Sequence, residues 1–232
     1  SGTGPLVDLS RLNVPKYARR PAIAMALVDY MLYVERNTRK ALELSAEATS
    51  ACGFKDWFWK ARLGKCYFKL GLLRDAEQQF KSALRDQPHI GTYLELCNVY
   101  LRMDLPITAL EVLDEASGKF TLEPRLLLGT ARVHEMLNDG EKALEYYKKT
   151  LALDASCIEA VACLGAHHFY AQQPELATRY YRRLIQMGVN NTEIWNNLGL
   201  CLFYAAQYDM SLGCLERALA LANDASMADV WY

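Results

Sequence analysis

The sequence predicts an all-α fold, a right-handed superhelical solenoid of stacked helical hairpins, and three observations carry that prediction. Small residues recur at a fixed period: Ala76, Ala109, Ala143 and Ala177 lie 33, 34 and 34 residues apart, and Ser211 follows after another 34. A large apolar residue stands four positions after each, as Phe80, Leu113, Tyr147, Tyr181 and Leu215. Turn-forming residues break each period at Gly71, Asp104 to Pro106, Asn138-Asp139-Gly140 and Gln172 to Pro174, so each repeat holds two helices. A small side chain where helices cross lets the backbones approach, and the large one fills the space beside it.

The elements follow in order. Residues 1–20, with Gly2, Gly4, Pro5 and Pro15, lack helical periodicity and read as an extended lead-in, Ser1 to Gly4 as a linker. Helices begin near Pro21. Residues 21–56 form a divergent helical repeat in which Ala41 and Ala48 hold the small positions and Asp29 replaces the usual Gly, as expected of a unit that caps a stack. Five repeats fill 57–227. The first gives Leu63, Gly64, Tyr67, Ala76, Phe80, Ala83 and Pro88, and the last gives Trp195, Leu198, Gly199, Ser211, Leu215 and Ala218. This is the tetratricopeptide pattern, W-x-x-L-G-x-x-Y followed by A-x-x-x-F. Residues 228–232 read as the start of a further, truncated repeat, with Trp231 in the place of Trp195, and so as a fragment of a longer array.

Composition narrows the function. The period implies one elongated domain that grows by stacking. Lys and Arg total 26 against 27 Asp and Glu, a formal charge of −1 that offers no field for nucleic acid or an anionic membrane. Arg179, Arg182 and Arg183, beside Lys148 and Lys149, read as a solvated outer face. Seven cysteines, an odd set without C-x-x-C spacing, fit a reducing compartment. The longest uncharged runs, Ala160 to Pro174 and Ile194 to Tyr208, fall short of the roughly 20 residues that span a bilayer. No segment reads as a signal peptide, and Asn190-Asn191-Thr192 carries no weight as a glycosylation acceptor.

No catalytic motif is found, and the expected function needs no enzyme, cofactor, metal or small-molecule substrate. Cys163, His167 and His168 could begin a soft-metal site, but two or three ligands are not four and His168 occupies a packing position. Asp114-Glu115 and Glu141 with Glu145 read as surface charge.

In this architecture the first helix of each repeat lines the concave side, with inward residues at repeat positions 2, 5, 9 and 12. The partner-binding groove expected here contains Phe58, Ala61, Lys65, Phe68, Leu94, Asn98, Leu101, Leu128, Arg132, Phe169, Asn196, Leu200 and Phe203. Lys65 and Asn98 alone resemble the clamp with which chaperone adaptors hold acidic tails; the rest is largely apolar and suits an extended or helical polypeptide. The alternative is that Phe58, Phe68, Phe169 and Phe203 pack only against neighbouring helices.

Strings that lie mostly outside the generic repeat positions go further: Lys16-Tyr17-Ala18-Arg19-Arg20-Pro21, Lys55-Asp56-Trp57-Phe58-Trp59-Lys60, His168-Phe169-Tyr170, Tyr181-Arg182-Arg183-Leu184 and Gln207-Tyr208-Asp209-Met210. They resemble the Bardet-Biedl syndrome protein eight family, tetratricopeptide-repeat subunits of the BBSome, from about Pro5 onward. The resemblance implies a non-catalytic scaffold in a coat-like complex that an Arf-like GTPase recruits to membranes and that carries membrane-protein cargo to and from cilia. It implies other BBSome subunits as partners, a small extended one in the groove, and a cytoplasmic location at the cilium, ciliary base and basal body. A chaperone adaptor or a generic peptide-binding tetratricopeptide scaffold is the alternative.

Overall fold

The computed structural model describes residues 12–223, and every regular element among them is an α-helix. The single domain that the period suggests divides into two compact units, Ser1–Thr121 and Leu122–Tyr232. Repeats contact chiefly their neighbours, so the core is a series of local clusters that can part between repeats.

Unit 1 runs α1 (Val14–Ala18), α2 (Pro21–Tyr33), α3 (Thr38–Ala51), α4 (Trp57–Lys69), α5 (Leu73–Asp86), α6 (Ile90–Arg102) and α7 (Pro106–Lys119). Within it α2 packs on α3, α3 on α4, α4 on α5, α5 on α6 and α6 on α7. One cluster joins the first helices: Ala24, Val28, Met31, Leu32, Ala41, Leu44, Ala48 and Trp59 lose all solvent contact. Helix α1 lies where the sequence suggests an extended lead-in. Asn13 caps it, its Oδ1 accepting from the Lys16 backbone N–H at 3.1 Å, and Pro15 falls in the first turn, where its missing N–H costs nothing.

Unit 2 runs α8 (Pro124–Met136), α9 (Gly140–Leu153), α10 (Ile158–Tyr170), α11 (Pro174–Gln186), α12 (Thr192–Tyr204) and α13 (Tyr208–Leu221). Its clusters centre on Ala131, Ala143, Tyr147 and Leu164, and on Val161, Tyr181, Leu184, Leu198 and Leu202. The expected truncated repeat at 228–232 lies outside the described residues.

Hairpin turns share one device. Gly71, Asp104, Asn138, Gln172 and Ala206 each take a positive φ, between 57° and 80°. The next N–H bonds back to a carbonyl five residues earlier, as Leu72 to Tyr67, Leu105 to Tyr100, Asp139 to His134, Gln173 to His168 and Gln207 to Leu202. This Schellman geometry satisfies helix-end carbonyls and reverses the chain within one turn.

Small residues sit at the hairpin contacts as predicted. Ala76, Ala109, Ala143 and Ala177 are buried. A Cβ added to Gly64 would come within 3.0 Å of the Phe80 ring, one on Gly165 within 3.2 Å of Tyr181, and one on Gly199 within 2.7 Å of Leu215. Ser211 stands in the alanine position with its hydroxyl donating to the Gly199 carbonyl at 2.7 Å.

Candidate functional site

The expected groove residues lie on the first helices of the hairpins, and each unit presents its own set. In unit 1, Phe58, Ala61, Lys65 and Phe68 line up along α4 and Leu94, Asn98 and Leu101 along α6. All are half-buried except Asn98, which is exposed. Phe58 packs against the unit 1 core and makes an edge contact with Trp59, while Arg62 lies over its ring at 4.7 Å. Phe68 carries Arg102 over its ring at 5.0 Å. This face is more polar than the apolar channel read from the sequence. Lys65 Nζ pairs with Glu95 at 2.6 Å, and Arg62 pairs with Asp29 at 2.9 Å, each across adjacent first helices. Burial opposes the charge on Lys65, but its bonds to Glu95 and Tyr33 outweigh it and raise the pKa.

In unit 2, Leu128 and Arg132 come from α8, Phe169 from α10, and Asn196, Leu200 and Phe203 from α12. Arg132 holds Glu159 of α10 through two charge-assisted hydrogen bonds. Phe169 packs on the core and meets Tyr204 edge-on at 5.5 Å and Tyr170 at 5.6 Å. Phe203 is 52% exposed beside Tyr204 and Tyr208. The packing alternative therefore describes Phe58 and Phe169 in part and Phe203 hardly at all.

The structure adds residues that the four inward positions miss. A surface cavity of about 500 Å³ is lined by Phe169, Tyr170, Gln172, Pro174, Glu175 and Tyr204. A smaller one of about 100 Å³ adjoins it, walled by Ala166, Phe169, Tyr170, Tyr181, Asn197 and Leu200. Tyr170 and Tyr204 close their helices one position after Phe169 and Phe203, and their recurrence 34 residues apart is the signal that would have found them.

Other candidates resolve into structural roles. His168 Nδ1 lies 2.8 Å from Gln173 Oε1 and the ring stacks on Tyr180 at 5.4 Å. Among the described residues no three His, Cys, Asp or Glu side chains are grouped to hold a metal ion. Burial pushes the thiols up, Cys66 to about 11 and Cys201 to about 12, which leaves them poor nucleophiles at neutral pH. Arg183 is not freely solvated: it donates to the Ala155 carbonyl at 2.6 Å. Glu115 is exposed, as expected of surface charge, and it has partners. Hydrogen bonds from Lys119 and Tyr93, at 2.7 and 2.9 Å, lower its pKa. No described helix is long and apolar enough to cross a membrane.

Comparison with known proteins agrees with this architecture. Residues 94–156 match the tetratricopeptide repeat family model. The chain is 51% identical to Tetratricopeptide repeat protein 8 of Mus musculus over its whole length, covering 45% of that protein. It is 45% identical to the Homo sapiens protein of the same name, covering 48%, and 39% identical to that of Caenorhabditis elegans, with 99% of the chain aligned and 45% of that protein covered. The chain thus spans less than half the length of these curated relatives. Among solved structures, PilF of Pseudomonas aeruginosa superposes with a TM-score of 0.74 at 17% identity, covering 94% of this chain and 98% of that one. The type IV pilus biogenesis factor PilW gives 0.73 at 15%, covering 95% and 100%. Such likenesses show the fold alone, and the fold is that of the tetratricopeptide repeat.

Proposed function

We propose that this chain is part of a non-catalytic protein-interaction scaffold, a BBSome subunit of the Bardet-Biedl syndrome protein eight family that helps carry membrane-protein cargo to and from cilia. The identity to Tetratricopeptide repeat protein 8, sustained over the whole chain, is the observation that carries this reading. The strings, mostly outside the repeat positions, that resemble the BBSome family support it. On this reading the first-helix faces of the two units hold extended segments of other subunits, a small extended one among them, and an Arf-like GTPase brings the assembly to membranes. Exposed aromatic surface in unit 2 suits such contacts, because exposed apolar patches mark interaction sites and tyrosine is enriched among the few residues that carry most of an interface's affinity.

The experiment is immunoprecipitation of the full-length protein, with a Phe169→Glu, Phe203→Glu variant beside it, from ciliated cells. The wild type is expected to bring down BBSome subunits, and the variant to lose at least one while keeping its helical circular dichroism. Recovery of the wild type as a free monomer overturns the reading. The chaperone-adaptor alternative has less support, since Lys65, one of its two matching residues, already holds Glu95.

A further inference from the structure

Repeats in one chain act as internal controls. In unit 1 an aromatic ring near the end of one first helix is covered by a cation at the end of the next: Lys69 sits over Tyr33 at 5.2 Å and Arg102 over Phe68 at 5.0 Å. Both cations also donate to a carbonyl of that earlier helix, Lys69 to Leu32 and Arg102 to Phe68. Phe169 of α10 occupies the position of Phe68, next to last in its helix as Tyr33 is last in α2, but the position of Lys69 and Arg102 is taken in α12 by Tyr204. No internal cation covers the Phe169 ring among the described contacts. Instead Tyr204 and Tyr170 flank it at interplanar angles of 69° and 73°, forming an aromatic corner over a cavity of about 500 Å³. Glu175 lines the same cavity and makes no ion pair among the described residues.

We propose that this corner receives an arginine side chain from the bound polypeptide, which supplies from outside the cation that unit 1 supplies from within. The inference rests on the reading of this face as a polypeptide-binding surface and names the side chain that it selects. A guanidinium is planar and weakly hydrated, so it stacks on the rings while its N–H fork reaches a carboxylate. Tyr170 and Tyr204, at 81% and 63% exposure, offer ring area for it. Glu175 gives the charge complementarity that an aliphatic guest would not use.

The test titrates the chain with two synthetic hexapeptides, acetyl-Ala-Leu-Ala-Arg-Ala-Leu-amide and its citrulline counterpart, following the tyrosine ring resonances of Tyr170 and Tyr204. The arginine peptide is expected to shift both saturably and to bind about tenfold more tightly than the neutral citrulline peptide. Glu175→Gln should remove most of that preference. Tyr204→Arg, which places an internal guanidinium over Phe169 as Arg102 does over Phe68, should abolish binding while leaving the circular dichroism unchanged. Equal affinity for both peptides, lost in Tyr204→Arg, overturns the arginine inference and leaves the polypeptide-binding reading standing. Failure of both peptides to shift either tyrosine overturns the arginine inference, and if immunoprecipitation is also unaffected by the Phe169→Glu, Phe203→Glu variant, the face itself is wrong.

Discussion

At the residue scale, Gly199 and Ser211 show why the repeat has its small positions. The two helices of the last hairpin approach so closely that Ser211 Oγ reaches the Gly199 carbonyl, and a methyl group on Gly199 would strike Leu215 Cδ2 at 2.7 Å. Gly213, on the same hairpin, has open space where a Cβ would go. Alanine should therefore act with opposite sign at the two sites. Gly199→Ala is expected to cost about 1–3 kcal/mol by overpacking, and Gly213→Ala to gain about 1 kcal/mol from helix propensity. Urea unfolding checks both, and equal effects would refute the packing assignment. Glu115 carries a second residue-scale prediction. Its pKa is lowered in the folded state, from an ordinary 4.5, by Lys119 and Tyr93. The stability it contributes is then complete above the ordinary value and lost as pH falls below it, through the lowered folded value. The stability gap between wild type and Glu115→Gln should shrink when urea midpoints measured at about pH 7 are repeated at about pH 3. A gap that stays constant removes this network from the acid response.

At the element scale, the hairpin turn demands a left-handed residue, yet only Gly71 of the five recurring sites is glycine. Ala206, at φ 57°, has neither glycine's freedom nor the tolerance of the left-handed region that Asn and Asp side chains bring at Asn138 and Asp104. Ala206→Gly should raise stability by about 0.5–1 kcal/mol, and Ala206→Val should lower it by about 1 kcal/mol or more. Thermal melts that order the three otherwise would contradict the turn geometry. The same site marks what the sequence could and could not tell. Asp104 to Pro106 and Asn138-Asp139-Gly140 announce turns by composition, whereas Ala206-Gln207 does not, and only the 34-residue period points to it. Helix α1 escaped for a related reason: Pro15 reads as a breaker until Asn13 is recognised as the cap that makes it a first-turn residue. The candidate site was legible where a ring falls on an inward position, as at Phe169, and not where helix ends matter, as at Tyr170 and Tyr204. Ion pairs such as Lys65 with Glu95 were invisible because the partners are separated in sequence and meet only when neighbouring first helices pack.

At the scale of the whole molecule, one repeated backbone carries two chemistries. The first helices of unit 1 pair charges, Arg62 with Asp29 and Lys65 with Glu95, and set Arg102 over Phe68; those of unit 2 pair Arg132 with Glu159 but leave Tyr170, Phe203 and Tyr204 exposed at the ends of α10 and α12. Each unit also buries its own clusters, Leu44 among the fully buried residues of unit 1 and Leu164 among those of unit 2. When stability is a sum of local interfaces, a lesion in one cluster weakens its own neighbourhood first. Leu44→Ala should cost about 2–5 kcal/mol through the lost methyl groups and the cavity they leave. Hydrogen exchange followed by mass spectrometry should then show protection falling in α2, α3 and α4 while α10 to α13 keep the wild-type pattern, and Leu164→Ala should produce the converse. Equal loss of protection across both units in either variant would mean that they unfold as one cooperative body, and the division into two would have no energetic content.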